Sequence, residues 1–347
     1  MNWLSDYFDI RRTDAIWTLL LLVMTLGLPL FISNDYYLNV LVLVFLYAGM
    51  ASAWNILGGM AGQFSLGHTA FFGTGAYTST LLYNYVGVSP WLGLVAGGIL
   101  SMVFAVIIAY PAFRMRGVFF AMATLAFGEA IRILLIYSRK FVDMPYGLSI
   151  NWDPGFSRMI FEERASYAFL AGAFLLIVTL VAYGLSRSYI GTYLRAIRDS
   201  EEAAVAAGVP MRRYKMIALL ISAFFTSAGG TILAQYVLYI EPTTVFSINY
   251  SIDLPLMALI GGIGTVAGPI LGAVIALPLR DVLLEVFGGA AAGMHLVIYG
   301  VLLMVIVIIL PDGLIGGVKS LLRRLRRVQT TGNQTAGNQT ADKRGRK

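Results

Sequence analysis

Tyr193-Leu-Arg-Ala-Ile-Arg-Asp-Ser-Glu-Glu-Ala-Ala-Val-Ala-Ala-Gly-Val-Pro-Met-Arg-Arg-Tyr-Lys215 lies between two strongly apolar runs, near 166–186 and 215–238. A charged, helix-forming segment bounded on both sides by about 20 apolar residues reads as a loop between two membrane crossings. Working outward, further apolar runs fall near 16–33, 37–57, 68–86, 91–112, 118–137, 252–263, 266–286 and 295–310. The predicted fold class is all-α: a polytopic transmembrane helical bundle of about ten spans, with eight or nine as the alternatives. The run at 252–263 is short for a crossing, so the span count depends on it.

Composition supports the same class. Hydrophobic residues make up 58% of the chain and charged residues 12%, with mean hydropathy +0.77. A soluble chain carries roughly twice that share of charge. The 37 glycines suit helices that approach closely in lipid. Cysteine is absent, which excludes disulfides, thiol catalysis and Cys-ligated metals. Arg11 and Arg12 precede an apolar run that is too long for the core of a signal peptide, so it reads as a retained first span.

Charge placement gives the expected orientation. With the N-terminus cytoplasmic and ten crossings, all but six of the 25 Lys and Arg residues fall on the cytoplasmic side; the six are Arg132, Arg139, Lys140, Arg158, Arg164 and Arg280. This is the bias that the positive-inside rule requires. A re-entrant 252–263 would place the Arg323-Arg324-Leu-Arg326-Arg327 tail outside, so three crossings after Tyr250 are preferred. The net charge of +7 is therefore an orientation signal and not a nucleic-acid surface. The expected organisation is a cytoplasmic segment 1–15, a transmembrane domain 16–318 and a basic, disordered cytoplasmic tail 319–347. Within the membrane domain, an outer loop covers 138–165 and a cytoplasmic loop 187–214. The outer loop has the length for a small helix or docking surface.

Several motifs stand out. Gly58 to Tyr77 combines Gly58, Gly59, Gly62 and Gly67 with Gln63, Ser65 and His68 inside the apolar region. Glycines weaken helix there, and irregular backbone at membrane depth persists only when buried in protein or lining a watery cavity. Gln63, Ser65 and His68 are thus candidates for a pathway or subunit seam. Capping of a helix start near the interface is the plainer reading. Glu129 is an intramembrane carboxylate and a further candidate, with Arg132 one helical turn away as a local ion-pair partner. Gly264-x3-Gly268-x3-Gly272 and Gly93-x3-Gly97 read as packing faces. Asp281 and Glu285, beside Arg280, read as interface anchors. Gly262-Ile-Gly264-Thr-Val-Ala267 lacks the strand and acidic residue of a dinucleotide site, and there is no Gly-x4-Gly-Lys-Ser/Thr loop. No catalytic constellation can be assembled on one aqueous face, so the chain is not expected to be an enzyme.

In the central loop, Ser200 can cap a helix whose first turn holds Glu201 and Glu202. Alanines 203, 204, 206 and 207 continue it, and Gly208 and Pro210 end it. A short helix with a small-residue face and a basic exit at Arg212, Arg213 and Lys215 suits insertion into a partner's groove. Glu202-Ala-Ala-x3-Gly208 resembles the core of the EAA loop of ABC-importer permeases. The family pattern continues with an Ile and a Leu-Pro; here Ile217 comes one residue early and the Leu-Pro is missing.

Further blocks carry the resemblance, in order: Gly62-Gln-Phe-Ser-Leu-Gly-His-Thr-Ala-Phe-Phe-Gly-x-Gly-Ala-Tyr77, Gly117-Val-Phe-Phe-Ala-Met-Ala-Thr-Leu-Ala-Phe-Gly-Glu129, Gly261 to Ala273 and Leu310-Pro-Asp-Gly-Leu-Ile-Gly316. Together they are similar to branched-chain amino acid permeases, in particular LivM-like subunits, over residues 36–316. The resemblance implies a bacterial cytoplasmic (inner) membrane subunit, multi-pass with both termini cytoplasmic. It implies partners as well: a second homologous permease subunit, two ABC ATPase subunits, an extracytoplasmic solute-binding protein and membrane lipid. ATP and Mg would belong to the ATPase subunits and no cofactor to this chain. Glu202, Ala203, Ala204, Gly208 and Arg212 would be the ATPase-coupling residues. A urea or short-chain amide importer uses similar subunits and is the alternative within the class. A stand-alone ion-coupled secondary transporter using Glu129 is the alternative outside it.

Overall fold

The computed structural model of the chain describes residues 23–25, 27–32, 34–142, 146–287, 293–310 and 313–317. Segment 1–15 and tail 319–347 lie outside them, as does most of the expected first span at 16–33. Helix α1 (Asp35–Asn55) is prolonged by a π turn at Ile56–Met60. It is followed by α2 (His68–Leu81), α3 (Pro90–Ala112), α4 (Val118–Val142) and α5 (Arg164–Arg187). Two shorter helices, α6 (Tyr189–Asp199) and α7 (Glu201–Ala206), then lead into α8 (Met211–Val237). The chain continues with α9 (Pro242–Val245), α10 (Ile248–Gly261), α11 (Gly268–Phe287) and α12 (Met294–Ile309).

Local chemistry sets the boundaries. Asn34 caps α1, its Oδ1 accepting from the Tyr36 N–H at 2.9 Å, and Asp35 follows in the first turn. Pro90 and Pro242 occupy first-turn positions, where a missing N–H costs nothing. The π turn ends α1 at the Gly58-Gly59 pair, where the Trp54 ring and the Asn55 side chain fill the space that β-carbons would take.

Among the described residues, six helices are long and apolar enough to cross a membrane: Asp35–Met60, Pro90–Ala112, Val118–Ser138, Arg164–Arg187, Met211–Val237 and Pro242–Gly261. The short run at 252–263 is therefore extended backward by α9 and the start of α10. Three other expected spans are helical without joining the six. α2 is continued by a π turn at Leu82–Val86 over the expected 68–86 but is rich in Thr, Ser and Gly, α12 has 16 residues, and α11 carries Arg280, Asp281 and Glu285. The polytopic helical class holds.

α8 is the central post of the bundle. One buried cluster joins Leu46, Met50 and Trp54 of α1 to Leu175 of α5, Ile232 of α8, Leu254 of α10 and Leu277 of α11. A second lies toward the end that carries α6 and α7, called here the loop end, and unites Ile56, Leu57, Leu185, Leu194, Ile197 and Ala218. Outward faces carry exposed Leu92, Ile99, Val297 and Met304, as helices bathed in lipid do. The glycine faces pack as expected, with one difference. Gly93 meets Ser79, Gly97 meets Gly75, and Gly268 and Gly272 bring α11 onto the backbone of α10. Gly264, however, is not on α11; it lies in the preceding turn with φ +76°.

At the far end, the described part of the expected outer loop, from Tyr146 on, folds onto the bundle. Its strand β1 (Leu148–Ser149) pairs antiparallel with β2 (Tyr239–Ile240) after α8, and Leu148, Ile150, Met159 and Ile160 are buried. Trp91 Nε1 donates to the Phe156 carbonyl at 2.7 Å, fastening the loop to α3.

Candidate functional site

The loop end is built from two capped helices. Ser188 caps α6, its Oγ accepting from the Gly191 N–H at 3.3 Å. α6 buries Leu194 and Ile197 under the bundle. At Ser200 the backbone becomes extended (φ −160°, ψ 112°), and its Oγ accepts from the Ala203 N–H at 3.3 Å. That is the N-cap expected for α7. The helix ends at Gly208, where φ is +82° and nothing lies near the position of an added Cβ, so it is backbone conformation alone that favours glycine.

The sequence-predicted residues divide by the direction they face. Glu202, Ala203, Gly208 and Arg212 are exposed, the Glu202 side chain by 82%. Ala204 points inward to the second core, with Leu194 and Ile197. It anchors α7, while its neighbours form the open face.

Glu201 plays a part that sequence reasoning missed. Its Oε1 accepts from Lys215 Nζ at 2.5 Å and from Gln63 Nε2 at 2.9 Å. Its Oε2 lies 3.7 Å from Arg116 Nε, and Arg116 also reaches Glu202 at 3.0 Å. Lys215, only 1% exposed, is buried at the start of α8. Burial alone would push the Glu201 carboxyl up. Hydrogen bonds from Lys215 and Gln63, with the charges of Lys215 and Arg116, outweigh this and hold it below the usual value. A lysine followed directly by Met216-Ile-Ala-Leu-Leu220 was the available signal that a buried cation needs a partner.

Gln63 opens an irregular stretch, 61–67, between α1 and α2. Gly62 turns the chain with φ +69°, directly against the Arg198 side chain. The backbone is then pinned by side chains: Trp54 Nε1 donates to the Ser65 carbonyl at 2.8 Å, and the Leu66 N–H donates to Thr124 Oγ1 at 3.0 Å. Ser65 Oγ accepts from the Gly67 N–H at 3.3 Å. The stretch ends at His68, fully buried, whose Nε2 is 2.7 Å from Ser222 Oγ. Ser222 lies about 16 Å along α8 from Met211, at 1.5 Å per residue. The segment thus climbs from the loop end, where Gly62 and Phe64 are exposed, to the buried Gly67 and His68 inside the bundle, where irregular backbone is enclosed by protein.

The structure therefore brings Gln63 to the helix that carries Glu202, and places Ser65 and His68 deeper on the same segment. Glu129 stands apart on α4, forming a bidentate ion pair with Arg132 through Nε at 2.9 Å and through Nη2. Two more long-range ties close the loop end. Arg198 Nη1 donates to the Gly59 carbonyl at 3.4 Å. Asn55 donates to the Thr265 carbonyl and accepts from the Gly264 N–H, both at 2.8 Å. Among the described residues, no three His, Asp or Glu side chains gather in a way that could hold a metal ion.

Comparison with known proteins matches the sequence to a family. A family described as "Branched-chain amino acid transport system / permease component" matches residues 36–307. The chain is 28% identical over 286 residues to the high-affinity branched-chain amino acid transport system permease protein LivM of Escherichia coli K12, covering 76% of this chain and 67% of the relative. The Salmonella typhimurium LivM is 27% identical over 293 residues, covering 78% and 68%. The L-arabinose ABC transporter permease protein AraH of Azospirillum brasilense is 27% identical over 225 residues, covering 61% of each chain. No solved structure matches. The match extends from the start of α1 into α12, and thereby takes in both α7 and the 61–67 segment. On this evidence the chain belongs to the permease components of branched-chain amino acid transport systems.

Proposed function

We propose that this permease is one membrane subunit of an ATP-driven importer of branched-chain or related amino acids, and that α7 is where a separate ATPase docks. The observation that carries the reading is the two-sided build of α7. Ala204 fixes it to the bundle, while Glu202, Ala203 and Gly208 are left on the open face of a capped helix. Small exposed residues flanked by a charge suit a groove on a soluble partner. The ATPases, a second permease subunit and an extracytoplasmic binding protein complete the assembly in this reading, with α7 on the cytoplasmic side of the inner membrane. The substrate class rests on the LivM relatives.

The test is ATP-dependent uptake in vesicles carrying the complete transporter. Glu202→Arg and Gly208→Trp are expected to abolish uptake while the chain still reaches the membrane. Unimpaired uptake in both would sink the docking assignment. Radiolabelled leucine is the expected substrate; competition by urea or arabinose but not by isoleucine or valine would move the assignment to another solute.

A further inference from the structure

Glu201 and Glu202 are adjacent and both reach Arg116, yet the Glu201 side chain is 21% exposed and that of Glu202 82%. Glu202 is open to a partner; Glu201 turns inward to touch three separate elements. We propose that Glu201 is the positioning residue that carries displacement of α7 into the irregular 63–67 segment, with the buried Gln63 as its receiver. This rests on the docking role of α7 proposed above.

One carboxylate oxygen holds both Lys215 of α8 and Gln63 of the irregular segment, at 2.5 and 2.9 Å. Gln63 is buried, so a moving Glu201 must either take the amide with it or leave it only the long 3.4 Å bond to the Ala61 carbonyl. Beyond Gln63, the backbone of the segment is held largely by side chains: Thr124 of α4, Trp54 of α1 and its own Ser65. Such a segment can shift as a unit without unravelling a helix. It ends at His68, which contacts Ser222, two turns along α8 from Lys215. The path from Glu201 on α7 thus touches α8 twice, at Lys215 and at Ser222, with the irregular segment between. Movement of α7 against α8 is converted into movement at the start of α2, deep in the bundle.

A static brace would look similar, so the experiment must separate the two. The complete transporter is reconstituted in liposomes with its ATPases, second permease and leucine-loaded binding protein. ATP hydrolysis and leucine uptake are measured together. Gln63→Leu removes the receiver while leaving the Glu201–Lys215 ion pair intact. The expected result is a complex that assembles and hydrolyses ATP, with leucine moved per ATP reduced about tenfold, within the usual span for a coupling between sites. Combining Gln63→Glu with Glu201→Gln reverses donor and acceptor across the same contact, and is expected to recover most of the lost uptake. The proposal is overturned if Gln63→Leu transports as much per ATP as the wild type. It is also overturned if that variant loses its ATPase subunits on purification, because the contact is then a brace. Failure of the wild-type complex to bind ATPases at all would instead strike the docking reading beneath it.

Discussion

Lys215 and Glu201 form the most consequential pair in the chain, because one partner is almost wholly removed from water. Lys215→Met takes away the cation and leaves the carboxylate facing only Gln63 and Arg116. Stability should fall by roughly 3 kcal/mol, the lower end for breaking a buried pair, since Glu201 keeps some contact with water. Adding Glu201→Gln should restore most of the loss, because a neutral pair strands no charge. Unfolding in mixed micelles measures both; equal stability of the single and double variants would contradict the pairing. The same carboxylate predicts a pH dependence. Its folded pKa is depressed, so its contribution is complete well above the free value of about 4.3 and is lost as pH falls through the lower folded value. The melting-temperature gap between the wild type and Glu201→Gln should therefore be open at neutral pH and close on acidification. A gap that stays constant with pH would place the stabilisation elsewhere.

Among elements, α10 and α11 show how closely glycine lets helices approach. A Cβ on Gly272 would overlap the Met257 carbonyl, and one on Gly268 the Gly262 carbonyl. Gly272→Val is expected to lower stability by about 1–3 kcal/mol, as overpacking does. Gly208→Ala meets open space and bears only the left-handed backbone term, about 1 kcal/mol. Thermal unfolding of the two should rank them in that order; the reverse order would mean that the α10–α11 contact is loose. These elements also mark how far the sequence could be read. Apolar runs located the long helices because each needs only its own composition, and Ser200 to Gly208 outlined α7 through local cap chemistry. The inward turn of Glu201 could not be read that way. Its receiver, Gln63, is 138 positions distant, and only tertiary packing brings them together. Ala204 falls in the same class: an EAA core names three residues, but the face that each presents depends on where α6 sets the helix down. The irregular segment at 61–67 was visible as a glycine and polar cluster, whereas its partners Trp54, Thr124 and Ser222 come from three different helices.

For the whole molecule, orientation can be tested without knowing the number of spans. Between the loop that carries Trp152 and α7, with Val205, lie α5 and the 11-residue α6, and of these only α5 has crossing length. α5 is one of the six helices of crossing length, so these two residues belong on opposite sides of the membrane whatever happens at either terminus. The direction follows from charge. The α7 side holds Arg195, Arg198, Arg212 and Arg213 in a short stretch, whereas the described part of the outer loop mixes Asp153, Arg158, Glu162, Glu163 and Arg164. Positive charge concentrated in short loops is retained on the cytoplasmic face. The absence of native cysteine makes the measurement clean, since a single introduced thiol is the only reactive one in the chain. Trp152 and Val205 are 56% and 54% exposed, so a thiol at either site is accessible to reagent. In intact cells with a permeable outer membrane, a membrane-impermeant maleimide should label Trp152→Cys and spare Val205→Cys. In inside-out vesicles the pattern should reverse. Labelling of Val205→Cys from outside would put α7 on the wrong face for a cytoplasmic ATPase and overturn the coupling role, while leaving the helical bundle itself unchanged.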